Sequence, residues 1–352
     1  MRLRLALGSA VALSVSGIVT AIPGALLPTW GPLFDPGPRL AWYFNLSLFG
    51  TIAGLSLTRW LSSRHPWFSA SLLLAALGLS NLALAQSFDV IVLGALPLGL
   101  AVGMINLNAN ALPGELYPER RMVVLSQVNA AFGAGAVVTP LLLTLLPWRA
   151  VLLAFAAFAC LGAGLVWRSP SGSTSPNAEL SRSLWAWLLA LVVLVYAGLE
   201  QSLVTFGGAY FSAHGLSKDS AGLLLSLYWL AFTLGRLLLS YFVARAPLRN
   251  MTGLLLAVLP IALFLSVKAA WLLPLAGLLI GPAFSLFLSL GQSRMGNSAV
   301  ALVLYGGAAG VNLIPALFAL LPIDWAPRAL AVLAALLIVL VRVLARVDSA
   351  RT

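Results

Sequence analysis

The sequence predicts an all-α integral membrane protein of twelve transmembrane helices, arranged as two parallel six-helix repeats. Three observations predict it: an apolar excess that no water-soluble fold can bury, basic residues sorted to alternate connectors, and a Gly/Pro pattern that recurs in the two halves. Of 352 residues, 61% are hydrophobic and 8% are charged, and mean hydropathy is +1.02. Soluble domains run at about 25% charged and below about 50% apolar, so the solvent for this chain is lipid.

Apolar runs of about 20 residues, the length that crosses a bilayer core, follow one another between short polar connectors. The predicted spans are Leu5 to Leu27, Leu40 to Leu57, Trp67 to Ala85, Val90 to Leu112, Met122 to Leu146 and Ala150 to Trp167. A second six run Leu184 to Thr205, Ala221 to Val243, Met251 to Val267, Ala270 to Leu290, Ser298 to Leu321 and Ala329 to Leu344. Residues 1–167 and 184–352 are thus two six-helix bundles, joined by a Ser- and Pro-rich linker at 168–183.

The basic residues orient the spans. Fourteen Lys and Arg, from Arg2 and Arg4 through Arg59, Arg64, Arg120 and Arg121 to Arg346 and Arg351, fall on one side of the alternating crossings. Arg39, Arg149, Lys218, Lys268 and Arg328 fall on the other. That asymmetry places both termini in the cytoplasm, in a plasma (inner) membrane. The net charge of +11 and pI near 10.8 are therefore topology signals, and no nucleic-acid partner is expected. A cleaved leader in the first apolar run would leave eleven spans and break the repeat, so the run is read as a span. Cys160, the lone cysteine, allows neither a disulfide framework nor a thiolate metal site.

The repeat is visible in the fifth and eleventh spans. Gly135, Pro140 and Pro147 recur as Gly310, Pro315 and Pro322 at a constant offset of 175, and Pro inside a helix is costly enough to argue against chance. Trp42-Tyr43 in the second span is paired with Tyr228-Trp229 in the eighth, and Thr58-Arg59 with Ala244-Arg245. Six crossings return the chain to its starting side, so the two copies share one orientation. Parallel halves of this kind are a transporter architecture, with the solute expected at the midplane between them.

These residues resemble the major facilitator superfamily over the whole chain. That family has a Gly-xxx-Asp-Arg loop after its second helix, matched here by Gly54-Leu-Ser-Leu-Thr58-Arg59 and then Arg64, with Thr at the Asp position. The departure weakens the charge relay that latches helices in the family. Met104-Ile-Asn106-Leu-Asn-Ala-Asn110, Leu116-Tyr-Pro-Glu-Arg120-Arg121, Asn129-Ala-Ala-Phe-Gly133-Ala-Gly135, Tyr196-Ala-Gly198-Leu-Glu200 and Tyr228-Trp229 through Gly235-Arg236 resemble the fucose-permease and glucose/galactose-transporter branch. The resemblance implies a central cavity lined by the first, fourth, seventh and tenth helices. Branch relatives often carry an acid where Asn106 stands, and an amide cannot carry a proton.

Among the nine acids, Glu200 alone lies well inside a span, roughly 24 Å along the seventh helix from Leu184. An intramembrane carboxyl is a candidate proton carrier; its competing reading is a hydrogen-bonded carboxyl that pins two helices. Arg236 is expected about two turns inside the cytoplasmic end of the eighth helix, where a long side chain can snorkel to the interface. It is read as structural, with grip on an anionic solute as the alternative.

Neutral polar residues at helical spacing are the candidate solute ligands. Asn106 and Asn110 share one face of the fourth helix, with Asn108 on another. Tyr196, Glu200 and Gln201 lie together on the seventh, Tyr228 and Trp229 on the eighth, and Ser285, Ser289 and Gln292 form an i, i+4, i+7 stripe on the tenth. Interhelical hydrogen bonding is the competing role for each, and the role assigned to Asn45, Asn81, Gln127 and Asn312. Gly54, Arg59, Arg64, Gly135, Pro140, Arg236, Gly310 and Pro315 are read as gating or structural positions, and Gly133, Gly306 and Gly307 as further points of close helix approach. Trp30, Trp67, Trp148 and Trp325 are read as interfacial anchors, and His65 and His214 as solvated.

No phosphate loop, nucleophile elbow or His/Cys cluster is present, so no enzyme, cofactor or metal is expected. The reading is a monomeric secondary transporter for a small polar solute, a sugar before others, working by alternating access with or without a proton. Efflux of drugs or metabolites on the same fold is the nearest alternative, and a neutral-solute channel the alternative of another class.

Overall fold

The computed structural model describes residues 1–61, 63–171, 183–295 and 298–349, and most of the predicted linker 168–183 lies outside them. The described residues form α-helices and short 3-10 turns, with no strand. In the first half these helices are α1 (Arg2–Phe34), α2 (Arg39–Trp60), α3 (Trp67–Leu84), α4 (Phe88–Leu116), α5 (Arg121–Leu145) and α6 (Trp148–Leu165). The second half has α7 (Leu184–Ala213), α8 (Lys218–Arg245), α9 (Pro247–Leu263), α10 (Leu272–Ile280), α11 (Ala283–Met295), α12 (Ser298–Phe318) and α13 (Ala326–Ser349). With α10 and α11 taken as one span, eleven of the twelve are long and apolar enough to cross a membrane, and α9 is the shorter one.

Local chemistry sets several ends. α1 stops at Asp35, which takes a left-handed φ of 42° before Pro36, a conformation that a short polar side chain tolerates. Ser183 and Ser217 cap α7 and α8, each accepting from the backbone N–H three residues on at 3.2 Å. Pro247 opens α9, where its missing N–H is not needed.

The tenth span, predicted as one continuous helix, is two. Pro282 has no N–H to give the Leu278 carbonyl, and the chain turns at Gly281-Pro282 before α11 begins. That carbonyl instead lies against Gly235 of α8, where a Cβ would come within 2.0 Å of it.

The chain divides into two compact units, Met1–Pro176 and Asn177–Thr352. Within the first, α1 packs on α5, α2 on α4 and α3 on α6; within the second, α7 packs on α12, α8 on α10 and α9 on α13. Span n of one unit and span n+6 of the other thus have matching partners, as the repeat predicts. The match extends to atoms. A Cβ on Gly103 would meet Thr51 O, Leu55 N and Gly54 C, while one on Gly281 would meet Phe232 O, Arg236 N and Gly235 C. Likewise Gly99 faces Ser47 O, and Gly277 faces Tyr228 O. Every residue of the second set stands 181 after its α2 counterpart or 178 after its α4 counterpart.

This register corrects one sequence pairing. Tyr228 is the counterpart of Ser47, not of the Trp42-Tyr43 pair, and Gly235 the counterpart of Gly54. Aromatic doublets fit many places on a membrane helix, whereas so close a backbone crossing admits only Gly. Two further readings change. Trp30 is fully buried rather than interfacial, packed edge-on against Tyr43 and Phe88 at 5.8 and 6.0 Å. His65 is half-buried rather than solvated, its ring 4.5 Å from that of Trp167.

Candidate functional site

In the first unit, polar side chains of α1, α4 and α5 form one hydrogen-bonded chain. Ser16 Oγ donates to Asn106 Oδ1 at 2.9 Å, Asn110 Nδ2 donates to the Asn106 carbonyl at 2.8 Å, and Asn129 Nδ2 donates to Asn110 Oδ1 at 2.9 Å. The order is forced at Asn110: its nitrogen is committed to a backbone carbonyl, so its oxygen must face a donor. Ser16 is fully buried and the three amides are half-buried. Asn106 therefore has its oxygen occupied, and among the described residues its Nδ2 has no acceptor. Asn108 turns to another face, as its spacing predicts, and bonds the Met104 carbonyl.

The same unit carries a charge clasp at the Arg-rich end of α2. Arg64, in the connector after α2, places Nη1 and Nη2 on the two carboxylate oxygens of Glu115 at 2.7 and 2.6 Å. Thr58, at the position the resembled motif gives to Asp, bonds the Gly54 carbonyl of its own helix at 2.8 Å. Gly54 sits against the Leu100 carbonyl, and Arg59, next to Thr58 in sequence, is half-buried.

The second unit assembles a different cluster. Glu200 lies at the middle of α7, one turn after the buried Tyr196. Tyr228 of α8, fully buried, donates to the Glu200 backbone carbonyl at 3.3 Å. One turn along α8, Phe232 stacks on Tyr228 with ring centroids 6.3 Å apart, and the Arg236 guanidinium lies over the Phe232 ring at 4.8 Å. The guanidinium is held among rings: Phe284 of α11 flanks it at 5.7 Å. Phe287, one turn along α11, packs edge-on against Tyr196 at 5.8 Å.

The remaining candidates, apart from Trp229, fall outside this cluster. Gln201 is buried and donates to Thr205 Oγ1 at 3.1 Å along α7. Trp229 is buried in an aromatic group with Tyr228 and Phe232. Ser285, Ser289 and Gln292 share the exposed face of α11. Gly135 and Gly310 bring α5 and α12 against the Ser14 and Leu194 carbonyls, with virtual Cβ contacts of 2.1 and 2.2 Å. Pro140 and Pro315 lie one turn beyond them inside the same helices. Among the described residues no group of three His, Cys, Asp or Glu is placed to hold a metal.

Sequence reasoning passed over Ser16, Asn129, Glu115 and Phe284 as site residues. A signal existed for Ser16, since Thr20 follows it at i+4 in a largely apolar span. Glu115 carried none, because its partner is 51 residues away.

A family model described as Major Facilitator Superfamily matches residues 7–319. The chain belongs to the Major Facilitator Superfamily. Among solved structures, a variant of the nucleoside transporter NupG superposes with a TM-score of 0.73 at 15% identity, covering 98% of this chain and 99% of that one. The D-xylose-proton symporter gives 0.73 at 14% identity, covering 96% and 97%. A bacterial homolog of the human lysosomal transporter Spinster gives 0.70 at 16% identity, covering 98% and 95%. At these identities the likeness establishes the fold. No curated protein sequence matches the chain. As a major facilitator this multi-pass membrane protein is a secondary transporter of a small-molecule solute and not an enzyme.

Proposed function

We propose that this major facilitator moves a neutral, hydroxyl-bearing solute, a sugar before other classes, by alternating access, with Glu200 carrying a coupling proton. The observation that carries the reading is the position of Glu200. Among the described residues it is the one acid at mid-helix, with Tyr196 and Tyr228 packed around it on α7 and α8. Lipid tolerates such a carboxyl where it has work at a cavity or with a partner. In the first unit, the Asn106 amide presents donors that suit a hydroxyl or ring oxygen.

The fucose-permease and glucose/galactose branch is the corresponding family placement, supported by the Asn106-to-Gly135 and Tyr196-to-Arg236 stretches. Two fold neighbours are named as a D-xylose-proton symporter and a nucleoside transporter, and solutes rich in hydroxyls suit amide and phenol ligands. The Arg distribution supports cytoplasmic termini. Uptake of labelled hexoses, pentoses, nucleosides and one amphipathic drug into proteoliposomes tests the reading. Saturable uptake of a sugar is expected. Saturable movement of the amphipathic drug alone makes the protein an efflux carrier, and flux that never saturates makes it a channel.

A further inference from the structure

The first helices of the two units run in register, each residue of α7 standing 180 after its α1 counterpart. Gly135 touches the Ser14 carbonyl of α1, and Gly310, its repeat counterpart on α12, touches the Leu194 carbonyl of α7. Past the far ends of the same helices the chain turns with positive φ at Asp35, 42°, and at Gly215, 94°. From Ala12 to Gly24 and from Val192 to Val204 every residue is buried except Ser14 and Thr20 in α1, and Leu194 and Glu200 in α7, which are half-buried. Thr20 is therefore the counterpart of Glu200, and Ser16 the counterpart of Tyr196.

The acid tells which way this position faces. A carboxyl at mid-span is turned to the bundle interior or a watered path rather than to lipid. Equal burial on equivalent helices gives Thr20 the same outlook within its own unit. Its neighbours are polar as well: Thr20 Oγ1 donates to the Ser16 carbonyl at 2.9 Å, and Ser16 Oγ donates to Asn106 Oδ1 of α4 at 2.9 Å. A hydroxyl oxygen that gives its proton to its own helix keeps the character of an acceptor. Threonine, joined through Ser16 to a donor amide, thus offers the first unit an uncharged acceptor where the second offers a carboxyl.

We propose that Thr20 is a specificity-determining residue, facing the solute path in the first unit as Glu200 does in the second and accepting a hydrogen bond from a solute hydroxyl. A carboxylate or phosphate is disfavoured there, because it has no proton to give to an acceptor. The inference rests on the readings of Glu200 and of a hydroxyl-bearing solute given above, and the test separates them.

The experiment has two arms. In a Cys160→Ala background, Thr20→Cys, Glu200→Cys and a control, Leu77→Cys, at a residue 63% exposed on α3, meet a charged, membrane-impermeant thiol reagent. Thr20→Cys and Glu200→Cys are expected to react at least about tenfold faster than the control. An inert Thr20→Cys beside a reactive Glu200→Cys overturns the inference and leaves the Glu200 reading standing, and inertness at both positions overturns both. The second arm is proteoliposome uptake of whichever labelled hexose, pentose or nucleoside the wild type carries. Thr20→Val is expected to raise KM about tenfold with the unfolding midpoint held, and Thr20→Ser to keep the wild-type KM. An unchanged KM in Thr20→Val overturns the specificity role while the solute reading stands. If the wild type carries none of these solutes, the solute reading is wrong, and the hydroxyl contact at Thr20 with it.

Discussion

Arg64 grips both carboxylate oxygens of Glu115 while its own side chain is 3% exposed and that of Glu115 36%. The clasp ties the α2–α3 connector to the end of α4, where the Thr58 hydroxyl is spent on its own helix. Removing one partner of a buried pair strands the other, and the half-open position of Glu115 softens the cost. Glu115→Gln and Arg64→Ala are expected to destabilise by about 1–2 kcal/mol, with Arg64→Lys intermediate because it loses the bidentate fork. Thermal unfolding in detergent measures this.

The duplicated crossings predict matched effects in the two units. Alanine at Gly103 or Gly281 would place a Cβ 2.4 Å from a backbone oxygen on the facing helix, and overpacking of that kind costs about 1–3 kcal/mol. Gly164→Ala and Gly253→Ala, where a Cβ meets nothing within 4 Å, are expected to be neutral or stabilising. Equal losses at Gly103 and Gly281, with none at the two controls, are the expected pattern of unfolding midpoints.

Pro282 holds the tenth span open. Pro282→Ala restores the N–H that the Leu278 carbonyl lacks, joining α10 to α11, and is expected to raise the unfolding midpoint. If the break serves the transport cycle, turnover falls about tenfold for each ~1.4 kcal/mol added to its barrier. Initial uptake rates in proteoliposomes, measured beside stability, separate the two effects.

The amide chain of the first unit is expected to be cooperative. Ser16→Ala and Asn106→Ala form a double-mutant cycle whose coupling should be about 0.6 kcal/mol, the usual size between membrane helices. Ser16→Ala is also expected to raise KM more than it lowers kcat, because it frees the Asn106 amide to turn. A cycle that closes to zero contradicts the hydrogen bond.

Hydropathy and charge made the helical membrane class legible, because a bilayer imposes length and apolarity on every span. The Gly/Pro repeat made the duplication legible, since Gly135 and Gly310 are fixed by backbone contact at Ser14 and Leu194. Register was less legible: Tyr228 found its counterpart in Ser47 only through the carbonyls that Gly99 and Gly277 touch. The site was legible as residue types, as with Glu200 and Asn106, and illegible as partnerships. Ser16 with Asn106, Arg64 with Glu115, and Arg236 with Phe284 join residues 48 to 90 positions apart, and no local periodicity carries such pairings. Pro282 was visible in the sequence, but a helix can bend or break at proline, and the crossing with Gly235 decides.

Uptake of a labelled hexose into proteoliposomes, with and without an inward proton gradient, for wild type and Glu200→Gln, tests the central claim most directly. The account predicts gradient-driven accumulation by the wild type, and equilibrative exchange without accumulation by Glu200→Gln. Identical uptake by both proteins, equilibrating with or without the gradient, would contradict it and leave Glu200 a structural group.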